Sequence, residues 1–286
     1  MKTFIADLRH YWKDRPFIWS ECKDVSLRKA RLPQCGRVLV LGPHPDDPES
    51  VAITCRLLMR SGCDIWYAIA SLSPSGVEDE YAQRTRDRGS ISLQEIKGKI
   101  RQREQMQSAE MFGLIPEKLA FLGIEEDKDL DSPKNLAKIR DHLESVEPDI
   151  VMMPTGKDPN RTHAWIYQTF QKCAKELTLK TEKPIVALYN EDPKTTEIRK
   201  DLFVLFGQEG ADWKGALLKT HDSQQERNIH SRGIGFDERI LRMNHSSWRH
   251  LVETSTAVGS SAKYAEVFEI ELFDEAKKIA AKMGLS

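Results

Sequence analysis

The feature that most limits the fold is a short apolar run, Val38 to Leu41, followed after a polar turn by an amphipathic stretch and a second apolar run. Residues 50–60 place Val51, Ile53, Leu57 and Leu58 on one side, as a helix packed on a sheet requires. Gly62 stops that pattern before "DIWYAIAS" at 64–71. Strand, helix and strand with short joints form a βαβ unit, so these strands should run parallel. The alternation continues: strands are expected at 118–124, 148–154, 184–190, 202–207 and 266–273. Helices are expected over 100–113, 133–146, 163–177, 212–231 and 237–245, with a last one in "DEAKKIAAKMG". Ser132 before Pro133 marks one helix start, and Gly113 marks one helix end. Residues 73–98 are polar, contain Gly76, Gly89 and Gly98, and read as a long surface loop with some helix. The expected fold class is α/β: a Rossmann-like, largely parallel sheet with helices on both faces. Residues 1–35 mix Phe4, Tyr11, Trp12, Phe17 and Trp19 with many charges and read as an arm packed on the main body, with 36–286 as one domain.

A chain of 286 residues, 40% hydrophobic and 30% charged, can bury a core of its own. Its formal net charge of -1 argues against nucleic-acid binding. Cys22, Cys35, Cys55, Cys63 and Cys173 are scattered and never spaced as CxxC, which fits a reducing compartment and argues against a cysteine zinc ribbon. The first residues lack the apolar block of a signal peptide, and no run approaches the ~18 apolar residues of a membrane helix. A cytoplasmic location is the expectation. Nothing in the sequence bears on oligomeric state.

The first strand runs almost directly into chemistry. In "GRVLVLGPHPDDPES", His44, Asp46 and Asp47 follow within a few residues. Packing does not require this, because adjacent carboxylates repel and burying either one unpaired is costly. In an open parallel sheet, ligands bind at the carboxyl ends of strands. The loop after the 148–154 strand ends in His163 on the same rim. Two histidines and one carboxylate suit catalytic zinc, with positions left for water and substrate, and they also suit ferrous iron. The other aspartate is then free to take a proton. The same turn also reads as a plain strand exit, with Asp46 or Asp47 capping the helix near Glu49. Spacing alone leaves both readings open.

"GPHPDDPES" resembles the (A/P)HPDD(x)E signature of the LmbE-like, PIG-L type de-N-acetylases, zinc-dependent enzymes that remove acetyl groups from N-acetylglucosamine-type substrates. Arg101 to Glu104 resembles the family's R-x-x-E helix, and Pro154 to His163 its strand and P…H loop. "LLKTHDSQ" (217–224) and Tyr264 to Phe268 resemble two later blocks, so the likeness spans about 36–273 in order. The resemblance implies that His44, Asp47 and His163 bind the metal and that Asp46 is the general base. It also implies substrate contact at Arg101. Many relatives carry H-P-D-H in the third block, where this chain has Asn160-Arg161-Thr162-His163. Asn160 can donate a hydrogen bond to an oxyanion but cannot act as a cationic acid. Asp158 reads as orienting His163, as contacting a sugar hydroxyl, or as a turn residue. His221 either reaches the site in place of the missing acid or holds a helix end. The expected activity is removal of an acetyl group from an amino-sugar conjugate, a small-molecule partner. The alternatives are a metal- and nucleotide-dependent transferase, disfavoured by the lack of a glycine-rich phosphate loop, and an inactive binding protein that keeps the fold.

Overall fold

The computed structural model describes residues 1–11, 16–25, 31–34, 36–84, 91–126, 129–254 and 261–282. Trp12, Cys35 and Gly89 lie outside them. Helix α1 (Lys2–Tyr11) and strand β1 (Phe17–Ser20) precede β2 (Arg37–Gly42), α2 (Ala52–Arg60) and β3 (Asp64–Ile69). Next come α3 (Asp79–Arg84), α4 (Leu93–Phe112), β4 (Leu119–Phe121), α5 (Pro133–Val146), β5 (Ile150–Pro154), α6 (Arg161–Thr181) and β6 (Ile185–Asn190). The C-terminal part supplies β7 (Leu202–Phe206), α7 (Gln208–Lys219), α8 (Asp222–Arg232), α9 (Phe236–Thr254), β8 (Tyr264–Phe273) and α10 (Glu275–Lys282).

The strands form one eight-stranded sheet in the order β1-β7-β8-β6-β5-β2-β3-β4. β8 is antiparallel to both of its neighbours, and the other pairings are parallel. From β2 the chain steps outward through β3 to β4, then returns to the other side of β2 with β5 and β6. The order therefore reverses between β2 and β5. Such a reversal opens a crevice at the carboxyl ends of the two strands.

Both faces of the sheet are covered, which explains the unbroken apolar run. Val38 and Val40 of β2 face a core shared with Ile53, Leu57 and Leu58 of α2. Leu39 and Leu41 face a second core shared with Ile166 and Phe170 of α6. A strand buried on both faces has no polar alternation to show.

Three elements differ from the periodicity reading. The helix expected from residue 100 begins at Leu93, inside the stretch read as loop. Ser92 Oγ accepts from Glu95 N at 3.2 Å and Glu95 Oε2 accepts from Ser92 N at 2.8 Å, a capping box. Its buried face mixes Ile96, Ile100 and Phe112 with Lys97, Arg101, Glu104, Gln105 and Ser108, so the apolar stripe is interrupted. The single helix expected at 212–231 is two, α7 and α8, broken at Thr220 and His221. Residues 17–20 enter the sheet as β1, with Phe17 opposite Leu202, while Phe4, Phe17 and Trp19 join the core beneath β2.

A buried ion pair joins the C-terminal elements to α2. Lys214 Nζ lies 2.7 Å from Glu266 Oε1 and donates to Asn244 Oδ1 at 2.9 Å and Ser50 O at 2.6 Å. Glu266 in turn accepts from Ile53 N at 3.0 Å, Thr54 N at 2.8 Å and Thr54 Oγ1 at 2.5 Å, satisfying the open first turn of α2. Burial pushes the Lys214 pKa down, and Glu266 opposes that fall. Removing one partner of such a pair leaves the other charge uncompensated. Glu266→Gln is therefore expected to cost about 3 kcal/mol or more in urea unfolding. Arg249→Gln, at an exposed pair with Glu253, should shift the midpoint hardly at all. Equal midpoints for the two variants would show that Glu266 does not hold α2.

Candidate metal centre

His44, Asp46 and Asp47 lie in the turn that follows β2, and His163 lies in the first turn of α6 after β5. The two strands flanking the sheet's reversal thus deliver their side chains to one crevice. His44 Nδ1 and His163 Nε2 are 3.2 Å apart. Asp47 Oδ2 is 3.8 Å from the first and 3.7 Å from the second. Ligands about 2.1 Å from a tetrahedral ion sit ~3.4 Å from one another, so the three atoms match the edges of a small coordination shell. The donor set, two imidazoles and a carboxylate, suits zinc or ferrous iron equally.

The electrostatics also call for a cation. Burial pushes the Asp47 carboxyl up to about 6, against the pull of His163, and the neighbouring Asp46 adds to the rise. Burial works against charge on His163, yet Asp47 and Asp158 outweigh it and hold its pKa at about 9. Positive charge beside Asp47, either the proton on His163 or a metal ion that displaces it, offsets the buried carboxylate.

Each imidazole has a carboxylate behind it. His163 Nδ1 lies 2.9 Å from Asp158 Oδ2, and His44 Nε2 lies 2.6 Å from Glu126 Oε1. Both are close ionic contacts whose angles fall short of well-aligned hydrogen bonds. Burial raises the Glu126 pKa, but His44, Ser71 and Ser73 bring it below the ordinary value. Asp158 is fixed by accepting from Asn160 N at 2.7 Å through its other oxygen. Backing carboxylates of this kind aim the ring nitrogens of metal ligands. Glu126 is absent from the sequence reading. Its only signal is the acidic run "EED" just past β4 on the same rim.

Asp46 has a positive φ of 92°, a backbone conformation unfavourable for a side chain with a Cβ. Helix α4 holds it there. Arg101 Nη2 donates to Pro45 O and, at 2.5 Å, to Asp46 Oδ1, while Gln105 Oε1 accepts from Asp46 N at 3.1 Å. Asp46 Oδ2 makes no hydrogen bond among the described residues. Arg101 is only 3% exposed and passes so close to Gly76 that a Cβ there would collide with it. The turn also folds back on its strand, since a Cβ on Gly42 would lie 3.1 Å from Pro48 Cδ.

The other residues singled out by sequence are placed as follows. Asn160 is the N-cap of α6, its Oδ1 accepting from Thr162 N at 2.9 Å and His163 N at 3.5 Å. Its amide nitrogen makes no hydrogen bond among the described residues. His221 is 0% exposed, at the break between α7 and α8, with Nε2 3.2 Å from Glu49 Oε2. Burial opposes a charge on His221, but Glu49 overrides it and raises the pKa. Glu49 also accepts from Ser108 Oγ at 2.5 Å and Gln105 Nε2 at 3.0 Å. His230, His245 and His250 are exposed. His230 joins Glu78 and Glu226 in a more open cluster in which Arg84 already pairs with Glu226.

A protein-family model described as "PIG-L: GlcNAc-PI de-N-acetylase" matches residues 39–174. No curated protein matches the chain. Solved structures with the same fold include N,N'-diacetylchitobiose deacetylase from Pyrococcus horikoshii, with 18% identity over 82% of this chain and 84% of that one at a TM-score of 0.60. They also include the 4-carboxy-2-hydroxymuconate hydratase GalB from Pseudomonas putida, with 22% identity over 82% and 95% of the two chains at a TM-score of 0.59. A third is the zinc-inhibited form of the teicoplanin deacetylase Orf2, with 12% identity over 84% and 99% at a TM-score of 0.54.

Replacing either backing carboxylate is expected to weaken the centre without unfolding the chain. Asp158→Asn and Glu126→Gln should each lower zinc affinity ~10- to 100-fold in a competition titration. Affinity unchanged in both variants would remove them from the centre.

Proposed function

We propose that the chain, which a PIG-L family model matches over residues 39–174, is a metal-dependent hydrolase removing an N-acetyl group from an N-acetylglucosamine-type amino sugar or its conjugate. The observation that carries this reading is the meeting of His44 Nδ1, Asp47 Oδ2 and His163 Nε2 beside Asp46. These three atoms would hold a divalent cation. Such an ion supplies Lewis acidity and acidifies a coordinated water from about 15.7 toward ~7.

The chain's own residues then move the protons. Arg101 fixes one oxygen of Asp46, and the other is free to take the proton of the water that attacks the amide carbon. The nitrogen of Asn160 offers a hydrogen bond to the carbonyl oxygen as negative charge gathers there. Asn160 has no acidic proton for the departing amine, so Asp46 passes on the one it has taken. Glu126 and Asp158 keep both rings aimed throughout.

A second reading has one observation in its favour. Adding water across a carbon–carbon double bond needs a base and an ion but no acid for an amine, and this chain has Asn160 where many relatives carry a histidine. The hydratase fold likeness makes that reaction worth assaying beside the first.

Purified protein loaded with zinc or with ferrous iron is assayed for acetate release from N-acetylglucosamine conjugates. Asp46→Asn should retain the ion and lose ~10²-fold or more in rate, the scale of a general base. His163→Ala should lose the ion itself. An Asp46 variant that comes out metal-free would make Asp46 a ligand instead, and turnover only of an unsaturated acid would favour the hydratase reading.

A further inference from the structure

One strand beyond the metal centre, a cavity of about 540 Å³ opens between the 191–200 loop after β6 and helix α9. Pro154 of β5 is paired with Asn190 of β6, so the loop carrying Asp158 runs beside the loop that lines the cavity from Glu191 onward. The volume suits a small-molecule site. Three cations stand in its wall: Lys200, Arg239 and Arg242. Two of them are already matched. Lys200 pairs with the buried Glu191, whose second oxygen accepts from Ser247 Oγ at 2.5 Å, and Arg242 lies 2.5 Å from Glu238.

Arg239 is different. It is half-buried, and its guanidinium makes no hydrogen bond or ion pair with the described residues. The charges of Asp192, Asp46 and Asp158 act on it, although none of them forms an ion pair with it. Burial pulls its pKa below the ordinary value, as expected of a cation short of counter-charge. A guanidinium partly withdrawn from water, with no acceptor among the described residues, keeps its donors open for a ligand. Its planar fork of five donors matches a carboxylate or a phosphate in two-point contact.

We propose that this cavity is an anion subsite, in which Arg239 holds a carboxylate or phosphate on the end of the substrate remote from the reacting bond. The substrate is then an acidic conjugate, with its reacting end at His44 and His163 and its anionic end one strand away. Lys200 and Arg242, both compensated, shape the rim, and Arg239 supplies the selectivity.

The inference rests on the hydrolase reading for the reacting end alone, and the test separates the two. Zinc-loaded protein is given methyl N-acetylglucosaminide, N-acetylglucosamine 1-phosphate and the N-acetylglucosaminide of glycolic acid, and acetate is measured. At least one acidic substrate should exceed the neutral one ~10-fold or more in kcat/KM, through KM, as a charge-assisted contact provides. Which acid gains distinguishes phosphate from carboxylate. Arg239→Met should abolish the preference, Arg239→Lys should restore part of it, and the remote exposed Arg249→Met should keep it. Equal kcat/KM for neutral and acidic substrates overturns the proposal, as does an Arg239→Met loss in kcat shared by all three. Arg239 is then a counter-charge for the acids around the centre. Should none of the substrates release acetate, the hydrolase reading fails, and inorganic phosphate and malonate are titrated calorimetrically into the same protein. Binding that Arg239→Met removes sustains the subsite; binding that is absent, or unchanged in the variant, sinks it.

Discussion

Two neighbouring carboxylates in a buried turn repel each other, and the surroundings of Asp46 and Asp47 are organised against that repulsion. The backbone separates them. A φ of 92° at Asp46 turns its side chain toward Arg101, while Asp47 accepts from His44 N at 2.7 Å and faces the two imidazoles. Each acid therefore has its own positive partner, and their roles diverge. In the proposed mechanism Asp47 would serve as a ligand, while Asp46 keeps one oxygen without a hydrogen bond among the described residues. Strain of this kind persists only where neighbouring groups over-determine the conformation, as Arg101 and Gln105 do here.

Around the turn lies a shell of buried polar contacts that anchors its supports. Glu104 accepts from Ser223 N and Ser223 Oγ, both at 2.7 Å, and so closes the start of α8. His221, one step before α8, meets Glu49 just past the turn. Lys214 and Glu266 fix the first turn of α2. The blocks spread along residues 101–268 thus share one task. They hold the strand-end turn from three sides with groups that are individually costly to bury and acceptable only when paired.

The fold alone leaves the chemistry open. A deacetylase and a hydratase both share it with this chain at low identity. Both reactions can use a polarising ion and a base, so the discrimination lies in what surrounds them. Here that is the asparagine cap of α6 and, in the next cleft, a guanidinium that makes no hydrogen bond or ion pair with the described residues.

Much of this was legible along the chain. The βαβ pattern, the doubly covered strands and the "HPDD" turn depend on residues close in sequence, and apolar periodicity and strand-end position are local properties. His163 was legible for the same reason, since it follows another strand on the same rim. Only the tertiary structure brought Glu126 behind His44, buried Arg101 against Asp46 rather than exposing it, set His221 on Glu49 and left Arg239 beside a cavity. Those contacts join elements about 50 or more residues apart. They exist because the strand order folds distant segments onto one rim, and a buried charge acquires a meaning only once its partner, or the space left for one, is known.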